Sequence, residues 1–149
     1  MDLFTEIANA IVTNLKSRED YDPTKDGVLE LFCGNGKMAK YLKENGIKKY
    51  HGVDADPQLI DSAKKAVTGY SRRFHVINEP KEVTQYKHDI VLSYGTIPYD
   101  LFPSGQRAIL ISDGYANYDQ CCYQLSPYFQ EGAKTVQFGE YFLTIGKLS

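Results

Sequence analysis

Apolar residues recur at helical spacing near the start of the chain and then change to short uninterrupted runs. The first set predicts an amphipathic helix and consists of Phe4, Ile7, Ile11 and Leu15. Residues 17–27 are polar and contain Pro23 and Gly27, which predicts a loop. Residues 28–33 are apolar except for Glu30, a pattern typical of a central strand buried on both faces.

The next segments alternate between the two periodicities. Residues 37–45 have a helical pattern, and Gly46 is a suitable residue to end that helix in the left-handed conformation. Residues 50–54 predict a second strand. Asp56 followed by Pro57 predicts the start of a third helix, whose buried face is Leu59, Ile60, Ala63 and Val67.

The same alternation continues to the end of the chain. Further strands are predicted at residues 72–77, 88–93 and 107–113, with a short helix between the first two of these and a mostly irregular segment at 94–105. Residues 117–128 predict a helix. Residues 132–149 predict two strands joined tightly near Gly139.

This order of elements predicts an α/β fold with helices on both faces of a mostly parallel sheet. The last two strands are too close in sequence for a parallel crossover and must form an antiparallel hairpin within that sheet. We expect a single domain over residues 1–149, in which residues 1–27 form an N-terminal helix and loop and residues 28–149 form the core.

Composition and charge narrow the expected partners. The chain has 42% hydrophobic and 24% charged residues, as in ordinary globular proteins, and a formal net charge of −2. Nucleic acid is therefore not favoured as a partner by charge, although a local basic patch could still bind it, and we expect no membrane association. Clustered lysines are interpreted as a solvated surface rather than a nucleic-acid track: Lys37, Lys40, Lys43, Lys48 and Lys49.

Cysteine, histidine and tyrosine usage adds further expectations. The three cysteines lack metal-ligand spacing, so we expect no metal and a cytoplasmic protein with reduced thiols. The three histidines fall at or near predicted strand starts and are interpreted as structural. The C-terminal part is rich in tyrosine, which could line a substrate pocket or bury itself in a homo- or hetero-oligomer interface.

The glycines after the first strand predict a ligand site. Gly34 and Gly36 allow a sharp turn and close approach of a ligand to backbone amides, and the helix that follows offers unpaired N–H groups to an anion. The anion could be a pyrophosphate or a carboxylate. Residues 34–39 satisfy the permissive dinucleotide pattern, with Asp54 available for ribose hydroxyls, but Glu30 would place a carboxylate next to a phosphate.

Four segments together resemble the class I S-adenosylmethionine-dependent methyltransferases. In chain order they are VLELFCGNGKMAKYL, GVDADPQLIDSAKKA, VINEP and DIVLSYG, and the likeness runs from about residue 28 to the terminal hairpin. The resemblance implies a three-layer Rossmann-like methyltransferase fold, with S-adenosylmethionine as the cofactor and S-adenosylhomocysteine as the product.

The resemblance also implies which residues bind the cofactor. Its methionine part is assigned to Glu30, Cys33, Gly34, Asn35 and Gly36. Asp54 is assigned to the ribose hydroxyls, Ala55 lies near the adenine, and either Asn78 or Glu79 contacts the adenine amino group. Ser93, at the end of the fourth strand, is added to this set.

Three segments depart from the family pattern. Phe32 stands where the family often has glycine, although an aromatic residue there is common among pyrimidine-C5 methyltransferases. Cys121 and Cys122 lack the flanking pattern of the catalytic cysteine in those enzymes, so that chemistry is not carried over. Residues 96–99, Thr-Ile-Pro-Tyr, keep only the last two residues of the motif found in amino-methylating members.

The predicted function is methyl transfer to an unidentified acceptor, which could be a small molecule, a protein or RNA. If the acceptor loses a proton, the candidate bases by position are Asp113, Tyr94 and Asp100, with Asp113 preferred. One alternative is a catalytically inactive methyltransferase-like subunit that binds or activates a partner protein. A distant alternative is an NAD-binding Rossmann protein.

Overall fold

The computed structural model describes residues 1–149 and contains one seven-stranded sheet in the order β3-β2-β1-β4-β5-β7-β6. The strands are β1 Gly27–Leu31, β2 Lys49–Asp54, β3 Phe74–Val76, β4 Ile90–Tyr94, β5 Arg107–Ser112, β6 Lys134–Phe138 and β7 Tyr141–Lys147. The α-helices are α1 Leu3–Ser17, α2 Lys37–Glu44, α3 Pro57–Ala66 and α4 Tyr118–Leu125. Short 3₁₀ helices cover Ser71–Arg73, Pro80–Gln85, Tyr99–Leu101 and Ser126–Tyr128.

The predicted fold class is confirmed. Strands β1 to β5 pair in parallel, whereas β7 pairs antiparallel with both β5 and β6. The predicted hairpin therefore places β7 inside the sheet and leaves β6 at its edge. The strand order reverses between β1 and β4, which is where open α/β sheets bind ligands.

Several elements are shorter than predicted, each for a local reason. Strand β1 ends at Leu31 because Phe32 turns the chain with a φ of 56°. The third strand keeps only three residues because Ser71–Arg73 forms a 3₁₀ turn ahead of it. Helix α4 ends at Leu125 and continues as the 3₁₀ helix Ser126–Tyr128, whose second residue is a proline.

The two faces of the sheet are covered unequally. Helices α1, α2 and α3 pack on one face and contribute to the larger hydrophobic core. The other face carries α4, the 3₁₀ helix that contains Val83 and the loop that contains Ile97, over a smaller core. This thinner layer leaves space beside the carboxyl ends of β1, β2 and β4.

Helix α1 ties the start of the chain to its end. Its buried residues join the larger core together with Leu143 of β7. A Cβ atom at Gly139, in the β6–β7 turn, would lie 3.2 Å from the Leu3 side chain, so the turn and the helix are in close contact. None of the helices combines the length and apolar character needed to cross a membrane.

Candidate functional site

The glycine loop connects β1 to α2 at the point where the strand order reverses. Gly34 and Gly36 both have positive φ, 57° and 86°. A Cβ atom on Gly36 would lie 3.0 Å from Val67 Cγ2 and 3.1 Å from Ala63 Cβ, so the missing side chain lets α3 pack against the loop. A Cβ on Gly34 would meet nothing within 4 Å, so its surroundings are open. One glycine therefore serves packing, and the other faces space that a ligand can fill.

Phe32 begins this loop in an unusual conformation. It is the one non-glycine residue of the chain with positive φ, and its side chain is 53% exposed. The left-handed region costs a residue with a Cβ about 1 kcal/mol or more. A bulky apolar side chain is thus held at the surface, in a strained conformation, beside the candidate site.

Asp54 joins the end of β2 to the glycine loop. One carboxylate oxygen, Oδ2, accepts a hydrogen bond from the Gly34 N–H at 3.0 Å. The other, Oδ1, accepts from the Asp56 N–H at 3.0 Å. The residue is half-buried, and each carboxylate oxygen can accept a further hydrogen bond. Asp54 can therefore hold the loop and still accept from a vicinal diol.

Glu30 lies beneath the loop and has no solvent exposure. Its Oε1 accepts a short hydrogen bond from the Tyr50 hydroxyl, and its Oε2 accepts from the Tyr94 hydroxyl at 2.6 Å. Burial raises the pKa of Glu30 to about 7, against the opposing effect of the two tyrosine hydrogen bonds. Gly52 makes this arrangement possible, because a Cβ there would collide with the Tyr50 hydroxyl. Direct contact between Glu30 and a ligand stays a prediction, while its contacts in the structure are internal.

A cavity of about 370 Å³ opens beside the carboxyl ends of the strands. It contains four residues predicted from the resemblance, namely Asp54, Ala55, Asn78 and Glu79. Sequence reasoning did not assign the remaining lining residues to a site: Leu31, Phe32, Val53, Ile77, Pro80, Val83, Thr96, Ile97 and Pro98. Thr96, Ile97 and Pro98 belong to the Thr-Ile-Pro-Tyr segment, which was the one signal that could have identified them. The cavity is mostly apolar, with acidic residues at its edge, and suits a flat aromatic group attached to a sugar.

The segment after β3 is held by a side chain from the following 3₁₀ helix. Glu82 Oε2 accepts hydrogen bonds from the backbone N–H groups of Asn78 and Glu79. Both of these side chains are exposed and line the cavity. The structure leaves both available to contact an adenine, so the choice between them stays open.

Four other predicted cofactor residues contribute to the loops but do not line the cavity. Gly34 and Gly36 form the turn described above, and Asn35 is exposed between them. Cys33 is buried, its N–H donates to the Val53 carbonyl at 3.0 Å, and burial raises the pKa of its thiol. These residues precede α2, and the backbone N–H groups of Cys33, Gly34 and Gly36 donate to the Val53 carbonyl, Asp54 Oδ2 and the Cys33 carbonyl.

Ser93 supports the loop after β4 from within the sheet. The residue is buried, and its hydroxyl donates to the Thr96 carbonyl. Ser93 does not line the cavity, so its role in the structure is to position Thr96.

The candidate bases lie outside the cavity. The Tyr94 hydroxyl donates a hydrogen bond to Glu30. Burial raises the pKa of Tyr94 well above its usual value, so the side chain is a neutral hydrogen-bond donor and not a base. Asp113 is exposed one residue beyond β5, and Asp100 is exposed in the Tyr99–Leu101 turn. A catalytic role for either aspartate stays a prediction.

Comparison with known proteins adds to this geometry. The family described as "Methyltransferase domain" matches residues 28–111. The chain is 30% identical over 80 residues to ribosomal RNA small subunit methyltransferase A from Prochlorococcus marinus. The aligned region covers 52% of this chain and 29% of that protein. The chain thus spans less than a third of this curated relative.

Solved structures share the fold at low identity. The methyltransferase domain of bacterial CtHen1-C has a TM-score of 0.67 and 14% identity, covering 99% of this chain and 100% of that one. An RNA methyltransferase from Salinibacter ruber, in complex with S-adenosyl-L-homocysteine, has a TM-score of 0.57 and 16% identity, and the match covers 93% of this chain and 90% of that one. The family match spans more than half of the chain, from β1 into β5, and confirms the resemblance: this chain belongs to the methyltransferase-domain family.

Proposed function

We propose that this chain binds S-adenosylmethionine in the 370 Å³ cavity and transfers its methyl group to an acceptor. The observation that carries the proposal is the placement of Asp54 between the glycine loop and an apolar cavity. The apolar walls suit the adenine, the Asp54 carboxylate suits the ribose diol, and the N-terminus of α2 suits the methionine carboxylate. The structural neighbour that contains S-adenosyl-L-homocysteine supports the choice of cofactor.

Glu30 favours a sulfonium cofactor over a dinucleotide. A buried group whose pKa is about 7 is partly ionised near neutral pH, beneath the loop that would hold the ligand. A pyrophosphate on that loop would be repelled by this charge, whereas the methionine part of S-adenosylmethionine carries an ammonium group that is attracted to it.

Methyl transfer from a sulfonium needs alignment and exclusion of water more than it needs acid–base chemistry. The loop that follows β4 lines the cavity with Thr96, Ile97 and Pro98, so we expect an acceptor to approach along this side. Ribosomal RNA is the acceptor named for the 30%-identical relative, so RNA is the first class of acceptor to test.

Calorimetric titration tests the cofactor step. We expect S-adenosylmethionine and S-adenosylhomocysteine to bind, NAD not to bind, and Asp54→Asn to weaken both sulfur ligands by about tenfold or more, because charged hydrogen bonds are worth about 1.5–3 kcal/mol. The matched control is Asp89→Asn. Asp89 also accepts a backbone hydrogen bond, from the Gly27 N–H at 2.8 Å, but it lies at the amino ends of the strands, away from the cavity. A folded protein that binds neither sulfur ligand would overturn the proposal.

A transfer assay separates the enzyme from the inactive-subunit alternative. Labelled S-adenosylmethionine is incubated with the protein and with separate RNA, protein and small-molecule fractions. We expect label in one fraction, and its loss in Asp54→Asn. Cofactor binding with no transfer to any fraction supports an inactive subunit, which the exposed aromatic side chains of Tyr118, Tyr123 and Tyr128 would suit as a partner surface.

A further inference from the structure

A second, smaller cavity lies at the amino ends of the strands, where β1, β2 and β4 begin. It measures about 180 Å³ and brings together four cationic side chains from four separate segments: Lys25, Lys49, Arg73 and Lys87. Lys25 precedes β1, Lys49 begins β2, Arg73 ends the 3₁₀ turn before β3, and Lys87 precedes β4. The fold therefore concentrates positive charge at one concave point of a protein whose net charge is −2.

None of these four cations forms an ion pair. Ion pairs within 4.0 Å involve other residues throughout the chain, and none includes any of the four. The one carboxylate that lines the cavity is Asp89. Its Oδ2 accepts from the Gly27 N–H at 2.8 Å, and its Oδ1 lies 3.9 Å from Arg107 Nη2. Asp89 thus offsets part of the positive charge, and four cations against one carboxylate leave the cavity with a net positive charge.

Two of the side chains that line the cavity are held in place. Arg73 is half-buried, its Nη1 donates to the Tyr50 carbonyl at 3.5 Å, and its guanidinium lies 5.7 Å from the centre of the Tyr70 ring. His51 also lines the cavity, and its Nδ1 is 3.0 Å from His75 Nε2. If His75 donates in this pair, His51 carries its own proton on Nε2 and can donate it to a ligand.

We propose that this cavity binds a phosphate group, presented either by single-stranded RNA or by a free phosphate ester. The volume is below the roughly 300 Å³ of typical small-molecule pockets, so the cavity accommodates a charged group rather than a whole nucleotide. Unpaired lysines and an arginine are the groups that bind phosphate oxygens. The site lies a strand length, about 20 Å, from the proposed cofactor cavity and is independent of it.

The first test is a titration with inorganic phosphate at low ionic strength, followed by NMR of the backbone amides. We expect the amide signals of Gly27, Lys49 and His51 to shift. The signals of Asn78 and Glu79, which line the cavity at the carboxyl ends of the strands, should not shift. The double variant Lys49→Ala/Lys87→Ala should bind phosphate at least tenfold more weakly. The matched control Lys16→Ala/Lys40→Ala removes the same charge from exposed helix positions and should bind as the unmodified protein does.

The second test distinguishes the two sources of phosphate. A short oligouridine is titrated at several salt concentrations, and loss of the one phosphate contact made in the cavity should reduce the slope of log K against log salt by about 0.7. This reduction in the Lys49→Ala/Lys87→Ala variant identifies RNA as the source, whereas binding of methyl phosphate without oligouridine identifies a free ester.

The proposal is overturned if phosphate causes no shift at the cavity, or if both double variants lose binding equally. S-adenosylmethionine affinity measured in the same variants should be unchanged, which also reports that they are folded. Failure here would leave the cofactor proposal untouched.

Discussion

The glycine loop separates two regions that hold a carboxylate in opposite ways. Beneath the loop, Glu30 is fully buried and both of its oxygens accept from tyrosine hydroxyls. In front of it, Asp54 is half-buried and borders an open cavity. The buried region uses its carboxylate to join β1, β2 and β4, whereas the open region keeps hydrogen-bonding capacity for a ligand. Neighbouring acids on paired strands can therefore have separable structural and binding roles.

The largest expected effect comes from removing the buried carboxylate. Glu30→Ala leaves two tyrosine hydroxyls without their acceptor and creates a cavity, so the free energy of unfolding should fall by about 3–4 kcal/mol. Urea denaturation measures this change. Asp113→Ala, at an exposed position, is the control and should change stability by less than about 0.5 kcal/mol. Equal effects of the two substitutions would show that Glu30 does not join the strands.

The pH dependence of stability tests the same region without creating a cavity. The pKa of Glu30 is raised from 4.5 to about 7 in the folded protein. The contribution of protonated Glu30 to the free energy of unfolding is therefore fully present below pH 4.5 and is lost as the pH rises through 7. The unmodified protein should therefore lose about 2–3 kcal/mol relative to Glu30→Gln between these limits.

The two proteins share every other titrating group, including His51 and His75, whose pKa values are lowered by burial. The difference between their stability curves isolates Glu30. Parallel curves from pH 4 to pH 9 would mean that Glu30 titrates normally.

The two loop glycines should respond unequally to alanine. Gly36→Ala combines positive φ with the close contacts to Val67 and Ala63 and should cost about 2 kcal/mol. Gly34→Ala also places a Cβ on a residue with positive φ, but its surroundings are open, so the free energy of unfolding should fall by only about 1 kcal/mol. Thermal denaturation compares them. If Gly34→Ala proves the more destabilising, packing of α3 is not what requires Gly36.

The smallest effect on stability is expected at Phe32. Phe32→Gly relieves the positive φ but loses some apolar contact and adds freedom to the unfolded chain, so stability should change by less than about 1 kcal/mol. Affinity for S-adenosylmethionine should nevertheless fall several-fold, because Phe32 lines the cavity. Calorimetry measures the affinity, and an unchanged value would place Phe32 outside the binding surface.

The order of helices and strands could be predicted because each element carries its own periodicity. Strand β1 is apolar around Glu30, and α3 begins with an Asp-Pro pair that matches the local preferences for the N-cap and first helical positions. Strand ends were less accurate, since they depend on backbone angles such as that of Phe32, which no local pattern reveals.

The surroundings of the site could not be predicted because they depend on residues distant in sequence. Tyr50 and Tyr94 reach Glu30 from strands β2 and β4. The histidines lie at or near strand starts as predicted, but the contact between His51 on β2 and His75 on β3 appears only in the fold. Lys49 was interpreted as part of a solvated surface, and only the fold shows that three other cations converge on it.

The contact between Leu3 and the Gly139 turn has a consequence for how the chain folds. Part of the surface that buries the apolar face of α1 belongs to β7, which lies far from α1 in the sequence. Before these segments meet, Ile and Leu side chains of α1 lack part of their cover, and a chaperone can bind them. Full burial of α1 therefore depends on the β6–β7 hairpin being in place.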